Sequence, residues 1–183
     1  MKLFKKLYVL VAIIYLFVAV NVSYANSFNI HNALQKYKEQ NLKMPAQESD
    51  GRVQTLNKKG AMSPVLDQIS LSFIEFGKNK KILEIGGAYG LVMGEMLSNY
   101  PETLYHINDL DEKHLFIAAH NVSALNVPQD TLDNIRFIVG DVSEIETKDK
   151  YDAILVARVL HFTDPEKLDK IINKLYHLLK PGG

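Results

Sequence analysis

The residues best suited to bind a ligand follow a short apolar run that ends beside a carboxylate. Residues 81–85 are mostly apolar, and small residues stand after them at positions 86, 88 and 90. Small residues at this spacing let the backbone turn tightly and approach a ligand closely. Gly86, Ala88 and Gly90, with Glu84 just before them, are therefore candidate ligand-binding residues. The alternative is a plain strand-to-helix turn that serves packing alone.

Two aspartates lie in comparable positions further along the chain. Asp109 ends the apolar run 104–109, and Asp141 follows the run 136–139 after a glycine. A carboxylate accepts hydrogen bonds from the hydroxyl and amino groups of a ligand. Either aspartate can instead be an ordinary loop or cap residue, since Gly-Asp is a common turn pair. Because Asp109 stands at the end of its run, we expect it to be exposed and to contribute little to stability.

The composition removes several other kinds of chemistry. The 183 residues include no cysteine, which excludes disulfides, a thiolate nucleophile and cysteine-ligated zinc. The six histidines are scattered without the spacing of metal ligands, so we predict no metal site. The formal net charge is zero and 47% of the residues are hydrophobic, which indicates a globular domain with no nucleic-acid partner.

Strands and helices alternate from residue 81 onward, and this order must position the candidate residues. Apolar runs predict four strands, at 81–85, 104–109, 136–139 and 151–156. Helical spacing predicts helices at 64–76, 91–97, 112–125 and from Asp164 onward. This alternation is typical of an α/β fold, here a Rossmann-like parallel sheet flanked by helices. In such a sheet ligands bind outside the carboxyl ends of the strands, where the candidate residues stand.

Capping residues mark the starts of two of these helices. Asp164 is followed by Pro165, a capping residue and a proline suited to the first helical turn. Asp111 is likewise expected to cap the helix that follows the second strand. Apolar residues between Leu168 and Leu179 recur on one face of the last helix, so we predict that this face lies in the core.

The first 25 residues form a separate unit. A basic start is followed by an uncharged, mostly apolar run at 7–20, and Ser23 and Ala25 stand at the two positions that a signal peptidase reads. We therefore predict a signal peptide at 1–25 and an exported protein, either periplasmic or secreted. The alternative is a membrane anchor through residues 7–22, although this run is shorter than a comfortable span.

Residues 26–60 form a polar lead-in between the signal and the domain. Residues 33–40 have the spacing of a helical turn or two, and 47–51 are typical of a loop. Nothing in the lead-in carries recognisable chemistry. We therefore place the functional domain at 61–183.

Five segments of the chain follow one another in a recognisable order and spacing. They are 82–90, 108–119, 140–142, 151–162 and 178–183. Together they resemble the motifs of class I S-adenosylmethionine-dependent methyltransferases, of which the first is a strand ending in an acid followed by three spaced glycines. The resemblance covers about residues 60–183 and implies S-adenosylmethionine as the cofactor.

Two departures from the family pattern are visible in the sequence. Ala88 replaces the middle glycine of the first motif, which costs some backbone freedom. The family's fold also continues beyond the fourth strand with a fifth strand and an antiparallel hairpin. We therefore expect a sheet that is incomplete at its C-terminal side, with the fourth strand as an unpaired edge.

The resemblance implies a role for the residues of the first motif. Glu84 is expected near the methionine part of the cofactor. Gly86, Ala88 and Gly90 are expected to line its sugar and amino-acid portion.

The same resemblance assigns the nucleoside to the next two strand ends. Asp109 is expected to hold both ribose hydroxyls, with Leu110 against the adenine ring. Asp141 and Val142 are expected to bind the adenine amino group and the edge of the ring.

These features predict S-adenosylmethionine-dependent methyl transfer to an acceptor that the sequence does not identify, and they name no catalytic residue. The alternative is a truncated or degenerate relative that binds the cofactor without catalysis. A nicotinamide oxidoreductase is disfavoured because its fingerprint requires a glycine where Leu91 stands.

His161 is either a base near the cofactor or, as we favour, a histidine packed against the sheet. Arg158 faces either the cleft or solvent.

Overall fold

The computed structural model of the protein describes residues 27–183. The predicted signal peptide and its cleavage point therefore lie outside the described residues. Within 27–183, no helix combines the length and the apolar character that a membrane crossing requires.

Seven strands and six α-helices form in this part of the chain. The strands are β1 (Ser27–Phe28), β2 (Val53–Gln54), β3 (Ala61–Met62), β4 (Lys81–Ile85), β5 (Leu104–Asp109), β6 (Arg136–Val139) and β7 (Ala153–Val156). The helices are α1 (Ile30–Glu39), α2 (Gln68–Phe76), α3 (Leu91–Asn99), α4 (Glu112–Ser123), α5 (Gln129–Asp133) and α6 (Pro165–Leu178). Two short 3-10 turns cover Val142–Glu144 and Leu160–Phe162.

Five of the strands form one sheet in the order β1-β6-β5-β4-β7. β4 pairs in parallel with both β5 and β7, and β5 pairs in parallel with β6, whereas β1 joins β6 in antiparallel orientation. This arrangement confirms the predicted α/β fold with a Rossmann-like parallel sheet flanked by helices. It also places the ends of β4 and β5 side by side, since Ile85 is in register with Asn108.

Three of the four predicted parallel strands, β4, β5 and β6, have the predicted bounds. Each is mostly buried, as a parallel strand covered on both faces requires. β4 and β5 also bury polar side chains, namely Glu84, His106, Asn108 and Asp109. β7 is shorter than predicted, because Tyr151 forms only an isolated parallel bridge to Leu179. Within residues 27–183, β7 is the last strand at its side of the sheet, as expected.

The start of helix α2 differs from the prediction. The helix begins at Gln68, not at position 64, because the Asp67 side chain accepts a hydrogen bond from the Ser70 N–H at 2.8 Å. This contact is an N-cap, and the cap residue itself lies outside the helix. The predicted caps of α4 and α6 are confirmed, as Asp111 and Asp164 each accept a bond from a backbone N–H of the first turn.

The lead-in is more ordered than predicted. Residues 30–39 form a complete helix, α1, in place of a turn or two, and it packs against α4 with Ile30 and Ala33 buried. β2 and β3 pair as an antiparallel hairpin. Both elements are stabilised by contacts with distant residues, which local sequence patterns do not reveal.

The apolar face of α6 is only partly in the core. Ile171, Leu175 and Leu178 are buried against the sheet, as predicted. Leu168 and Ile172 were expected there too, but they remain 37% and 48% exposed. The prediction was wrong for these two residues because the apolar stripe of the helix is wider than the surface that covers it.

Candidate functional site

The turn after β4 has the backbone conformation that its glycines indicated. Gly86 and Gly90 have φ of +69° and +73°, in the left-handed region that side chains disfavour. A Cβ atom at Gly86 would overlap the side chain of Val159, and one at Gly90 would lie 3.0 Å from the Cβ of Ala118. Both the conformation and the close packing therefore require glycine at these positions.

Ala88 is the middle residue of this turn and also has a positive φ, of +43°. The left-handed conformation costs a non-glycine residue about 1–2 kcal/mol, which agrees with the expected loss of backbone freedom. The Ala88 N–H donates a hydrogen bond to Asp109 Oδ2 at 3.0 Å. This bond ties the turn to the end of β5 and helps to offset the strain.

Asp109 lies at the end of β5 but is not exposed. Its relative exposure is 7%, so the expectation of an exposed residue was wrong. In addition to the Ala88 N–H, its carboxylate accepts hydrogen bonds on Oδ1 from the Asp111 N–H at 3.0 Å and from His114 Nδ1 at 3.1 Å. The carboxylate is held by protein donors because the turn after β4 and the start of α4 converge on it.

Glu84 is buried beneath the turn, with an exposure of 5%. The Tyr105 hydroxyl donates a hydrogen bond to its Oε2 at 2.9 Å. Burial raises the pKa of Glu84 to about 7, and the nearby negative charge of Asp109 adds to the rise, while the hydrogen bond from Tyr105 opposes it. Near neutral pH a large fraction of the Glu84 carboxyls is therefore protonated.

The loop after β6 places the remaining two predicted residues. Asp141 accepts a hydrogen bond from the Ser143 N–H at 2.8 Å, and this backbone bond lowers the pKa of the Asp141 carboxyl. Val142 is buried against the α6 side of the sheet. Leu110, by contrast, follows β5 with 69% of its surface exposed, which leaves an apolar side chain free to contact a ligand.

One cleft of about 930 Å³ lies at the carboxyl ends of the parallel strands. Seven of the eight predicted site residues line it: Glu84, Gly86, Ala88, Asp109, Leu110, Asp141 and Val142. Gly90 does not, because it faces a neighbouring pocket of about 240 Å³. Gly90 packs against Ala118 of α4, and its predicted contact with the ligand stays a prediction.

Part of the lead-in forms one wall of this cleft. Arg52, Thr55 and Met62 from the β2–β3 hairpin line the cleft. The hairpin is held by Tyr89, whose hydroxyl accepts from the Leu56 N–H at 2.9 Å and lies 3.2 Å from the Gln54 carbonyl oxygen, to which it donates. The turn at 57–60, with asparagine at its start and glycine at its end, was the sequence signal for this hairpin.

The opposite wall comes from the segment after β7. Arg158 lines the cleft and its Nη2 lies 2.6 Å from Asp67 Oδ2, an ion pair that joins this segment to the start of α2. His161 also lines the cleft and is exposed, with its ring centroid 3.8 Å from that of Phe162. The expectation of a histidine packed against the sheet was wrong, because the 3-10 turn at 160–162 carries its side chain outward.

A comparison with protein families identifies this arrangement. The sequence model of the family described as "Methyltransferase domain" matches residues 82–183. The chain belongs to the class I methyltransferase family. The resemblance inferred from the five sequence motifs is thereby confirmed, and the sheet order described above is its structural counterpart.

Individual relatives agree with this assignment. The chain is 28% identical over 114 residues to O-methyltransferase 4 of Dictyostelium discoideum, covering 62% of this chain and 30% of that protein. It also resembles the SAM-dependent methyltransferase of Thiobacillus denitrificans solved with S-adenosyl-L-homocysteine, at 17% identity and a TM-score of 0.53, covering 66% of this chain and 47% of that one. The glycopeptide N-methyltransferase MtfA, solved with S-adenosyl-L-methionine, has 15% identity and a TM-score of 0.53, covering 63% and 50%. The methyltransferase domain thus spans about a third to a half of the length of these relatives.

Proposed function

We propose that this domain binds S-adenosylmethionine in the cleft and transfers its methyl group to an acceptor. The observation that carries the proposal is the left-handed turn of residues 86–90 at the carboxyl end of β4, with Asp109 and Asp141 beside it. The two solved relatives, one in complex with S-adenosylmethionine and the other with its demethylated product, support the same choice of cofactor.

The residues around the cleft suit this cofactor. A volume of about 930 Å³ falls in the range of small-molecule sites. Asp141 offers an ionised acceptor to the adenine amino group, and Leu110 offers an exposed apolar surface to the ring. We assign Asp109 to the ribose and Glu84 to the methionine portion, and the support for both assignments is that these residues line the cleft.

Bound S-adenosylmethionine supplies a methyl group that its sulfonium charge already activates. The residues of the chain therefore need chiefly to align the acceptor and exclude water. Alignment of this kind contributes about 7–11 kcal/mol in well-oriented reactions. The hairpin wall and the segment after β7 enclose the cleft from two sides and are suited to this task.

We further propose that the acceptor atom is a hydroxyl oxygen and that His161 removes its proton. The imidazole of His161 is exposed in the cleft, and histidine is the commonest general base in proteins. The name of the Dictyostelium discoideum relative, an O-methyltransferase, supports an oxygen acceptor. Phe162 and Met62, which line the same cleft, provide apolar surface for the body of the acceptor.

Asp141→Ala is expected to weaken the binding of S-adenosylhomocysteine about tenfold to a hundredfold. The change removes one hydrogen bond to a charged group, worth about 1.5–3 kcal/mol. Isothermal titration calorimetry of both proteins measures the effect. Asp130→Ala, at an exposed position in α5, is the matched control and should bind like the wild type. A folded wild-type protein that gives no heat of binding would contradict the proposal.

Methyl transfer itself is tested with S-adenosylmethionine labelled in its methyl group. Incubation with separate pools of hydroxyl, amine and thiol acceptors should label the hydroxyl pool. His161→Ala should then reduce the labelling without changing the affinity for S-adenosylhomocysteine. Binding without transfer to any pool would favour the alternative, a cofactor-binding module without catalysis.

We also propose that residues 1–25 direct export and are removed, so that the mature chain begins at Asn26. N-terminal sequencing of the protein from its native host checks this. An intact Met1 on membrane-bound protein would instead support an anchor through residues 7–22. An intact Met1 on soluble cytosolic protein would contradict both forms of the proposal.

A further inference from the structure

His114 is a buried residue of α4 that touches the carboxylate assigned to the ribose. Its relative exposure is 2%, and its Nδ1 lies 3.1 Å from Asp109 Oδ1. Its Nε2 is buried without a hydrogen-bond partner among residues 27–183, and the nearest carboxylate oxygen, Asp111 Oδ2, is 3.8 Å away. The side chain also lines the cleft. A polar ring in this position is unusual unless one of its nitrogen atoms has a specific use.

The contact with Asp109 determines which of the two atoms donates the hydrogen bond. An ionised carboxylate can only accept, so Nδ1 must carry the hydrogen, whether the imidazole is neutral or charged. Oδ1 of Asp109 therefore receives two donors, the Asp111 N–H and the His114 Nδ1–H. Oδ2 receives one, the Ala88 N–H.

The two oxygens of a carboxylate offer about four acceptor positions. Three of those on Asp109 are taken by the protein, and the one that remains belongs to Oδ2. Two ribose hydroxyls therefore do not both find a free position, although the family pattern led us to expect that Asp109 holds both.

We propose that Asp109 takes a single ribose hydroxyl, through Oδ2, and that His114 occupies the position on Oδ1 that the second hydroxyl would use. His114 is thus a specificity-determining residue that also fixes the rotation of the carboxylate. The inference rests on the proposed binding of the cofactor, and it concerns how many ribose hydroxyls the Asp109 carboxylate binds.

The test compares S-adenosylhomocysteine with its 2′-deoxy and 3′-deoxy forms by calorimetric titration of the wild-type protein. One deoxy form should bind about tenfold or more weakly, because a hydrogen bond to a charged group is lost. The other should bind within about threefold of the parent compound. Equal, large losses for both forms would overturn the inference, as would equal affinity for all three compounds. Absence of any binding by folded protein would overturn the proposed function, and this inference with it.

His114→Ala removes the Nδ1 donor and also vacates the space beside Oδ1 that the ring fills. Because Oδ1 then regains a free position, both deoxy forms should bind more weakly than the parent compound to this variant. His120→Ala is the matched control on the same helix, where the exposed His120 ring stacks on Tyr37 at 4.2 Å, and it should keep the wild-type selectivity. Unchanged selectivity in His114→Ala would overturn the role of His114.

A second measurement does not depend on the variant folding. Nitrogen-15 NMR of the wild-type imidazole should show a protonated, hydrogen-bonded Nδ1 at His114 both without ligand and with S-adenosylhomocysteine. Loss of this hydrogen bond on binding would show that His114 yields its position to the ligand, and would overturn the inference.

Discussion

Asp109→Ala is expected to lower the free energy of unfolding by about 3 kcal/mol or more, even without a ligand. The substitution leaves three donors without their acceptor: the Ala88 N–H, the Asp111 N–H and the His114 ring. The His114 ring is buried and the two backbone N–H groups are partly buried. A buried donor that loses its partner costs about 1–3 kcal/mol, and a partly buried one costs less. The turn after β4 also loses the bond that offsets the positive φ of Ala88. Urea unfolding of the ligand-free proteins measures the difference.

Asp111→Ala is the matched control for this prediction. Asp111 caps α4 by accepting from the Lys113 N–H, and the loss of such a cap costs about 1 kcal/mol. Asp109→Ala should therefore destabilise the fold considerably more than Asp111→Ala. A smaller effect for Asp109→Ala would mean that its carboxylate serves only a ligand, as its position at the end of a strand had suggested.

The second large effect is a pH dependence of stability that Glu84 causes. In the unfolded chain a glutamate carboxyl ionises with a pKa near 4.5, whereas burial raises the pKa of Glu84 to about 7 in the folded protein. At a pH between these two pKa values, the carboxyl is ionised in the unfolded state but still protonated in the folded state. Ionisation in this pH range therefore stabilises only the unfolded state. The folded state therefore loses about 3 kcal/mol as pH rises from below 4.5 to above 7.

Glu84→Gln should remove this loss, since the amide keeps an oxygen for the Tyr105 hydroxyl and does not titrate. The wild-type protein should be less stable than Glu84→Gln at pH 8, and the gap should shrink by about 3 kcal/mol towards pH 4. Denaturant unfolding across this range, with differences taken at each pH, cancels the other titrating groups. Glu95→Gln on the exposed face of α3 should follow the wild-type curve. A gap that is constant with pH would contradict the raised pKa of Glu84.

The sequence alone determined the elements whose signals are local. The bounds of β4, β5 and β6 follow from short runs rich in apolar residues, and the starts of α4 and α6 follow from aspartates that bond to their own first turns. Because parallel strands all present their carboxyl ends at one edge, the order of elements also located the cleft. The motifs at these strand ends were sufficient to indicate the family.

Only the tertiary structure decided which groups meet in the cleft. Tyr89 binds Leu56, 33 residues away, and thereby brings the lead-in hairpin to the cleft as a wall. Ala88 reaches Asp109, 21 residues away, and His114 approaches the same carboxylate from α4. Gly90 packs against Ala118 instead of lining the cleft. These contacts join residues that are distant in sequence, and no local pattern specifies a hydrogen bond whose partner is placed by the packing of another element.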